Sequence, residues 1–192
     1  ILAQVVPAGL GELKPALRHR LQVVQQCRPE DMEPVREVYR LLGIPAELLT
    51  YIEDMPAKLR EAHLVIARAG ASTIAELTAA GRPAILVPLP SAPDDHQTAN
   101  ARERARAGGA RMIPQPQFTP ETLARQIEAL SLDPEALANA AARALSVGRP
   151  HAARDLADLV ERVANGDAPL LVGPAVTRKE PALGFAPAGA AA

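Results

Sequence analysis

Polar side chains suited to binding chemistry cluster in two segments of this chain. The first is His63-Leu-Val-Ile-Ala-Arg-Ala-Gly-Ala-Ser-Thr-Ile-Ala-Glu76. It reads as a strand, a tight turn through Gly70 and a helix N-terminus in direct succession. The first amides of a helix have no partner within it, and the helix dipole adds partial positive charge, so such a corner favours a phosphate. It also lies at the carboxyl end of a strand, where open α/β sheets bind ligands. Glu76 has two readings. Thr73-Ile-Ala-Glu76 matches a capping box, in which Thr73 and Glu76 satisfy backbone donors at the helix start. Alternatively, the Glu76 carboxylate accepts hydrogen bonds from both ribose hydroxyls of a nucleotide. Arg68 is equally open, as a partner for a diphosphate or as a solvated charge at a strand end.

The second segment is Pro88-Leu-Pro-Ser-Ala-Pro-Asp-Asp-His-Gln-Thr-Ala-Asn100. A proline-rich loop leaves a strand, and Asp94 or Asp95 is placed to cap the helix that follows. Gln97 and Asn100 stand three apart and share a helix face. Neutral amides both donate and accept, which suits sugar hydroxyls. His96 reads as a surface residue, because no paired carboxylate or nucleophile lies within sequence reach.

The elements that position these segments alternate. Strands are predicted over 21–26, 47–52, 63–67, 84–88 and 110–114. Helices are predicted over 1–20, 30–42 (closed by Gly43), 55–61, 73–80 and 95–107. Further helix continues to Ala164, with breaks near Ser131 and at Arg149-Pro150. Short apolar strands between helices predict a doubly wound parallel sheet covered on both faces, an α/β fold of Rossmann type. One domain over 1–164 is expected, followed by a disordered Gly-, Pro- and Ala-rich tail over 165–192. The chain opens on a helix where a nucleotide-binding domain of this type usually has a strand and a glycine-rich turn. This predicts that it is the later part of something longer.

Composition narrows the function further. Of 192 residues, 48% are hydrophobic and 22% charged, as in an ordinary globular protein. A net charge of −1 gives no field to recruit nucleic acid, and 2% aromatic residues give no base-stacking platform. One cysteine, Cys27, excludes an internal disulfide and a multi-cysteine metal site and fits a reducing cytosol; no metal and no cofactor are expected. No apolar run is long enough to cross a bilayer, and no signal-peptide pattern is present.

Ile52-Glu-Asp-Met55, Arg68-Ala-Gly-Ala-Ser-Thr-Ile-Ala-Glu76, Ala79-Ala-Gly-Arg-Pro83 and Asp94-Asp-His-Gln-Thr-Ala-Asn100 resemble, in the same order, the undecaprenyldiphospho-muramoylpentapeptide β-N-acetylglucosaminyltransferases, the MurG family. The likeness runs from Ile1 to about Ala164. It implies the C-terminal half of a GT-B glycosyltransferase, which binds UDP-N-acetylglucosamine. By resemblance, the backbone of Ile52 reads uracil, and Gly70, Ala71, Ser72, Thr73, Ile74, Ala75 and Glu76 cradle diphosphate and ribose, with Arg68 beside them. Gln97, aided by His96 and Asn100, binds the sugar. Some family members carry glutamine at the His96 position. The family's Gly-Gly-Ser-Gln turn, its strand and an acceptor domain are expected ahead of Ile1. That domain would hold the lipid-linked muramoyl-pentapeptide, the general base and the contact with the cytoplasmic face of the inner membrane. No catalytic residue is therefore assigned in this chain. Two alternatives are a soluble donor-binding subunit of a two-subunit N-acetylglucosamine transferase and a UDP-sugar-binding protein without activity. A sugar-nucleotide epimerase of the same fold fits the Asp94–Asn100 stretch less well.

Overall fold

The computed structural model describes residues 1–131 and 133–166. They divide into a compact unit, Ile1–Pro150, and a second unit beginning at His151. The expected disordered tail lies outside the described residues, apart from the turn at Asn165 and Gly166.

The first unit runs α1 (Leu2–Gly11), α2 (Pro15–Arg18), β1 (Val23–Gln26), α3 (Met32–Leu42), β2 (Ala46–Leu49), α4 (Met55–Glu61), β3 (Val65–Ala67), α5 (Ala71–Ala79), β4 (Ala84–Leu86), α6 (His96–Ala107), β5 (Ala110–Met112), α7 (Pro120–Ser131) and α8 (Pro134–Ser146). The helix predicted over 1–20 is broken after α1. Pro15 disfavours helical geometry at Lys14, which instead takes φ −54°, ψ 139°, so the chain restarts as a separate turn. Gly43 closes α3 as predicted, with a left-handed φ of 66° that glycine adopts without steric cost. Strand β2 ends at Leu49, three residues short of Ile52, which therefore lies in the following turn.

All ladders are parallel. β1 pairs with β2, Val23 opposite Ala46. β3, β4 and β5 pair in that order, with Ile66 opposite Ile85 and Ile85 opposite Arg111. Parallel neighbours need a crossover, and helices supply each one. The strands form two ladders. In the doubly wound order 3-2-1-4-5-6, β2 and β1 stand as 3 and 2, and β3 to β5 as 4 to 6. No strand of the described residues takes the central position, so β1 and β3 are each paired on one edge only.

The two ladders still share one core. Val23, Leu48, Ile66 and Ile85 pack with Val5, Leu10, Val35, Tyr39, Leu123 and Ile127 from α1, α3 and α7. On the other face, Ala84 and Leu86 pack with Leu59, Ile74, Leu77 and Ala101 from α4, α5 and α6. Alternate side chains of a strand point to opposite faces, so β4 is buried on both. Full burial of Ile85 and Leu86 contributes roughly 1.5–3 kcal/mol each, enough to fix the height at which the β4 end is presented.

In the second unit, α9 (Ala152–Ala164) is amphipathic, with Leu156, Leu159, Val160 and Val163 all exposed.

Candidate functional site

The carboxyl ends of β3 and β4 are held together by side chains from both predicted segments. β3 stops at Ala67, and after three intervening residues α5 begins at Ala71, two residues earlier than predicted. Gly70 is its N-cap, in extended geometry (φ −64°, ψ 151°), and no side chain caps the helix. The capping-box reading of Thr73 and Glu76 is therefore corrected. Both lie inside the helix, where Thr73 is the third residue and Glu76 the sixth, and neither reaches an orphan donor. Glu76 is exposed, and its carboxylate has no hydrogen bond or ion pair among the described residues.

The α5 terminus is open. The first backbone bond of the helix runs from Ile74 N–H to Gly70 O at 3.0 Å. The amides of Ala71, Ser72 and Thr73 have no acceptor among the described residues. Ala71 and Ser72 are exposed and Thr73 is half-buried. Ile74 faces inward, buried at 6%, and its amide is used; Ala75 sits one residue deeper in the helical ladder. The anion-binding donors of the corner are thus Ala71, Ser72 and Thr73.

The start of α6 is tied to this corner. Gln97 Oε1 accepts from the Ala69 N–H at 3.2 Å and from the Leu89 N–H at 3.0 Å. Asn100 Nδ2 donates to the Ala69 carbonyl at 3.0 Å. Both polar groups of the buried Ala69 peptide are therefore satisfied by one face of α6. Gln97 Nε2 has no acceptor among the described residues and is left as a donor. His96 is exposed, and its Nδ1 lies 2.7 Å from the Pro93 carbonyl. A carbonyl only accepts, so Nδ1 carries the proton, and a neutral ring leaves Nε2 as an acceptor. Asp94 and Asp95 do not cap α6 with their side chains. They occupy the left-handed region, both at φ 51°, in the turn that swings α6 into place.

Arg68 does not stand free at the strand end. Its Nη1 donates to the carbonyls of Val87 and Pro88, both at 3.1 Å, and its Nη2 donates to Gln115 Oε1 at 2.7 Å. It has no carboxylate partner among the described residues. Burial alone pushes its pKa below the usual arginine value. Ile52 is half-buried after β2, and no side-chain hydrogen bond links it to this network. Beside it Tyr51, absent from the sequence expectations, is 71% exposed. Its signal was an aromatic residue next to Ile52 in a chain with almost none. Gln115 was also missed, because it lies 47 positions from the residue it holds. Among the described residues, no three His, Cys, Asp or Glu side chains group closely enough to hold a metal ion, and no helix is long and apolar enough to cross a membrane.

Comparison with known proteins places this corner in context. Residues 1–161 match the model of the glycosyltransferase family 28 C-terminal domain. The chain is 64% identical over 167 residues to the UDP-N-acetylglucosamine–N-acetylmuramyl-(pentapeptide) pyrophosphoryl-undecaprenol N-acetylglucosamine transferase of Erythrobacter litoralis, covering 87% of this chain and 42% of that protein. It is 66% identical over 161 residues to the protein of the same description from Novosphingobium aromaticivorans, covering 84% and 42%. It thus spans about two-fifths of the length of these relatives. The crystal structure of Acinetobacter baumannii MurG is 34% identical, with a TM-score of 0.75 over 84% of this chain and 46% of that one. A putative UDP-N-acetylglucosamine 2-epimerase from Listeria monocytogenes shares the fold at 16% identity, with a TM-score of 0.61 over 87% of this chain and 43% of that one.

Proposed function

The chain belongs to the glycosyltransferase family 28 C-terminal domains, and from that premise we propose that it is the donor-binding part of an inverting transferase. Its donor is UDP-N-acetylglucosamine, and its acceptor is lipid-linked muramoyl-pentapeptide. The observation that carries this reading is the open α5 terminus, where three amides and the carboxylate of Glu76 have no partner among the described residues.

The ligand's chemistry matches the corner group by group. The amides of Ala71, Ser72 and Thr73 receive the diphosphate, helped by the α5 dipole. Gly70 supports this assignment: its φ is ordinary, and an added Cβ would meet only Thr73 Oγ1, at 3.9 Å. Neither backbone nor packing calls for glycine there, whereas a phosphate approaching the amides does. Glu76 accepts from both ribose hydroxyls. The backbone at Ile52 reads the uracil edge, and the exposed Tyr51 ring supplies a stacking face. On the sugar, Gln97 Nε2 donates and His96 Nε2 accepts, a pair complementary to a hydroxyl.

The chemistry itself needs an acceptor hydroxyl to attack the anomeric carbon. The bond to the β-phosphate oxygen breaks, UDP leaves with the electron pair, and a general base takes the hydroxyl proton. That base, the acceptor pocket and a peripheral contact with the cytoplasmic membrane face belong, in this proposal, to a second domain. A transfer assay with lipid acceptor and labelled UDP-N-acetylglucosamine tests the division. Turnover is expected only when an acceptor domain from a relative is supplied. Turnover by the chain alone would contradict the donor-part reading.

A further inference from the structure

The hydrogen bonds of the Arg68 guanidinium all run to neutral groups just beyond the ends of β4 and β5. From that geometry we infer that Arg68 is a positioning residue that locks the ends of β3, β4 and β5 into one floor, with its three engaged donors spent on that floor and not on the ligand's phosphates. The role rests on the donor-site reading above.

Three of the five guanidinium N–H donors are engaged. Two reach the consecutive carbonyls of Val87 and Pro88, where the chain leaves β4. One reaches Gln115, where the chain turns after β5. A planar fork makes these bonds in fixed directions, which a lysine ammonium cannot reproduce. The position held in this way matters because Pro88 precedes Leu89, whose amide is bound by Gln97. Residue 69, next to Arg68 in the chain, gives its own amide to the same Gln97 oxygen. Arg68 and Gln97 therefore close a loop of contacts: the arginine fixes the β4 exit, and the β4 exit and Ala69 together fix the glutamine. Swinging the guanidinium out of this floor toward a diphosphate would release these acceptors, leaving the carbonyls of Val87 and Pro88 and the Gln115 amide oxygen short of a donor.

The two roles separate in the ligand-free protein. If Arg68 positions, Arg68→Lys keeps the charge but loosens the β4 exit. Amide exchange of Leu89 and Ala69 should then speed up about tenfold, the loss expected for hydrogen bonds to a charged group. Gln115→Leu, which leaves Arg68 itself untouched, should speed exchange at Leu89 in the same direction by a smaller factor. This second variant carries the test if Arg68→Lys does not fold. UDP and uridine should lose affinity for Arg68→Lys by a common factor. Unchanged exchange in both variants, or an affinity loss in Arg68→Lys confined to UDP and absent for uridine, would overturn the inference. Failure of the unaltered chain to bind UDP would instead remove the donor-site reading and leave the exchange result standing.

Discussion

Gln97 does two jobs with the two ends of one amide, and substitution separates them. Its oxygen holds the Ala69 and Leu89 amides at 3.2 and 3.0 Å. Ala69 is fully buried, at 0% exposure, so water cannot replace its lost acceptor in Gln97→Ala. An unsatisfied buried donor costs about 1–3 kcal/mol. Leu89 is only half-buried, so the loss at its amide is set below that at Ala69. In a domain of this size each kcal/mol lowers Tm by about 2–4 °C. Gln97→Ala should therefore be destabilised by about 1–3 kcal/mol in urea, with Tm lowered to match. Gln97→Glu keeps an oxygen for both amides and should stay within about 1 kcal/mol of the parent. It lacks the Nε2 donor, however, and should lose the preference for UDP-N-acetylglucosamine over UDP. Paired urea melts and ligand titrations of the three proteins distinguish these effects. If Gln97→Ala matches the parent in stability, or Gln97→Glu falls as far as Gln97→Ala, the bridging account is wrong.

Two further outcomes follow from the same geometry. Because Glu76 caps nothing, Glu76→Gln should leave the melting curve unchanged while weakening UDP about tenfold or more. The 2′-deoxy analogue keeps one of the two hydroxyls and should lose less affinity on this substitution than UDP does, and a parent that does not distinguish UDP from its 2′-deoxy form would strip Glu76 of its role at both ribose hydroxyls. At Gly148, an added Cβ would stand 2.6 Å from the Thr78 carbonyl oxygen, a backbone atom that cannot swing away. Gly148→Ala should push the end of α8 from α5 and cost roughly 1–3 kcal/mol in a denaturant melt. Parent-like stability would show that the α8 end shifts freely.

What the sequence shows of this molecule depends on how far each cause reaches along the chain. Local causes were legible. The apolar strands alternating with helices, the αL stop at Gly43 and the corner through Gly70 all follow from residues within a few positions. The capping box was misleading because Thr73-Ile-Ala-Glu76 carries the right pattern, while the backbone at Gly70 already turns into α5 two residues earlier. Asp94 and Asp95 likewise match an N-cap, yet the tight exit from the proline-rich loop places them at positive φ, a region Asp tolerates better than most residues. The contacts that assemble the site were not legible at all. Gln97 and Asn100 meet Ala69 across 28 and 31 positions, and Arg68 meets Gln115 across 47. Only the pairing of β3, β4 and β5 brings them together.

The central claim is that this chain holds a UDP-sugar at the α5 corner, and a residue-resolved titration tests it most directly. UDP-N-acetylglucosamine added to the isotope-labelled 192-residue chain should give saturable amide shifts. The account predicts the largest shifts at Ala71, Ser72 and Thr73, with smaller ones at Ile52, Glu76 and the Gln97 side chain. Uridine should move Ile52 and Glu76 but leave the three α5 amides in place. No saturable shift at Ala71 to Thr73, or saturable shifts clustered away from the carboxyl ends of β3 and β4, would contradict it.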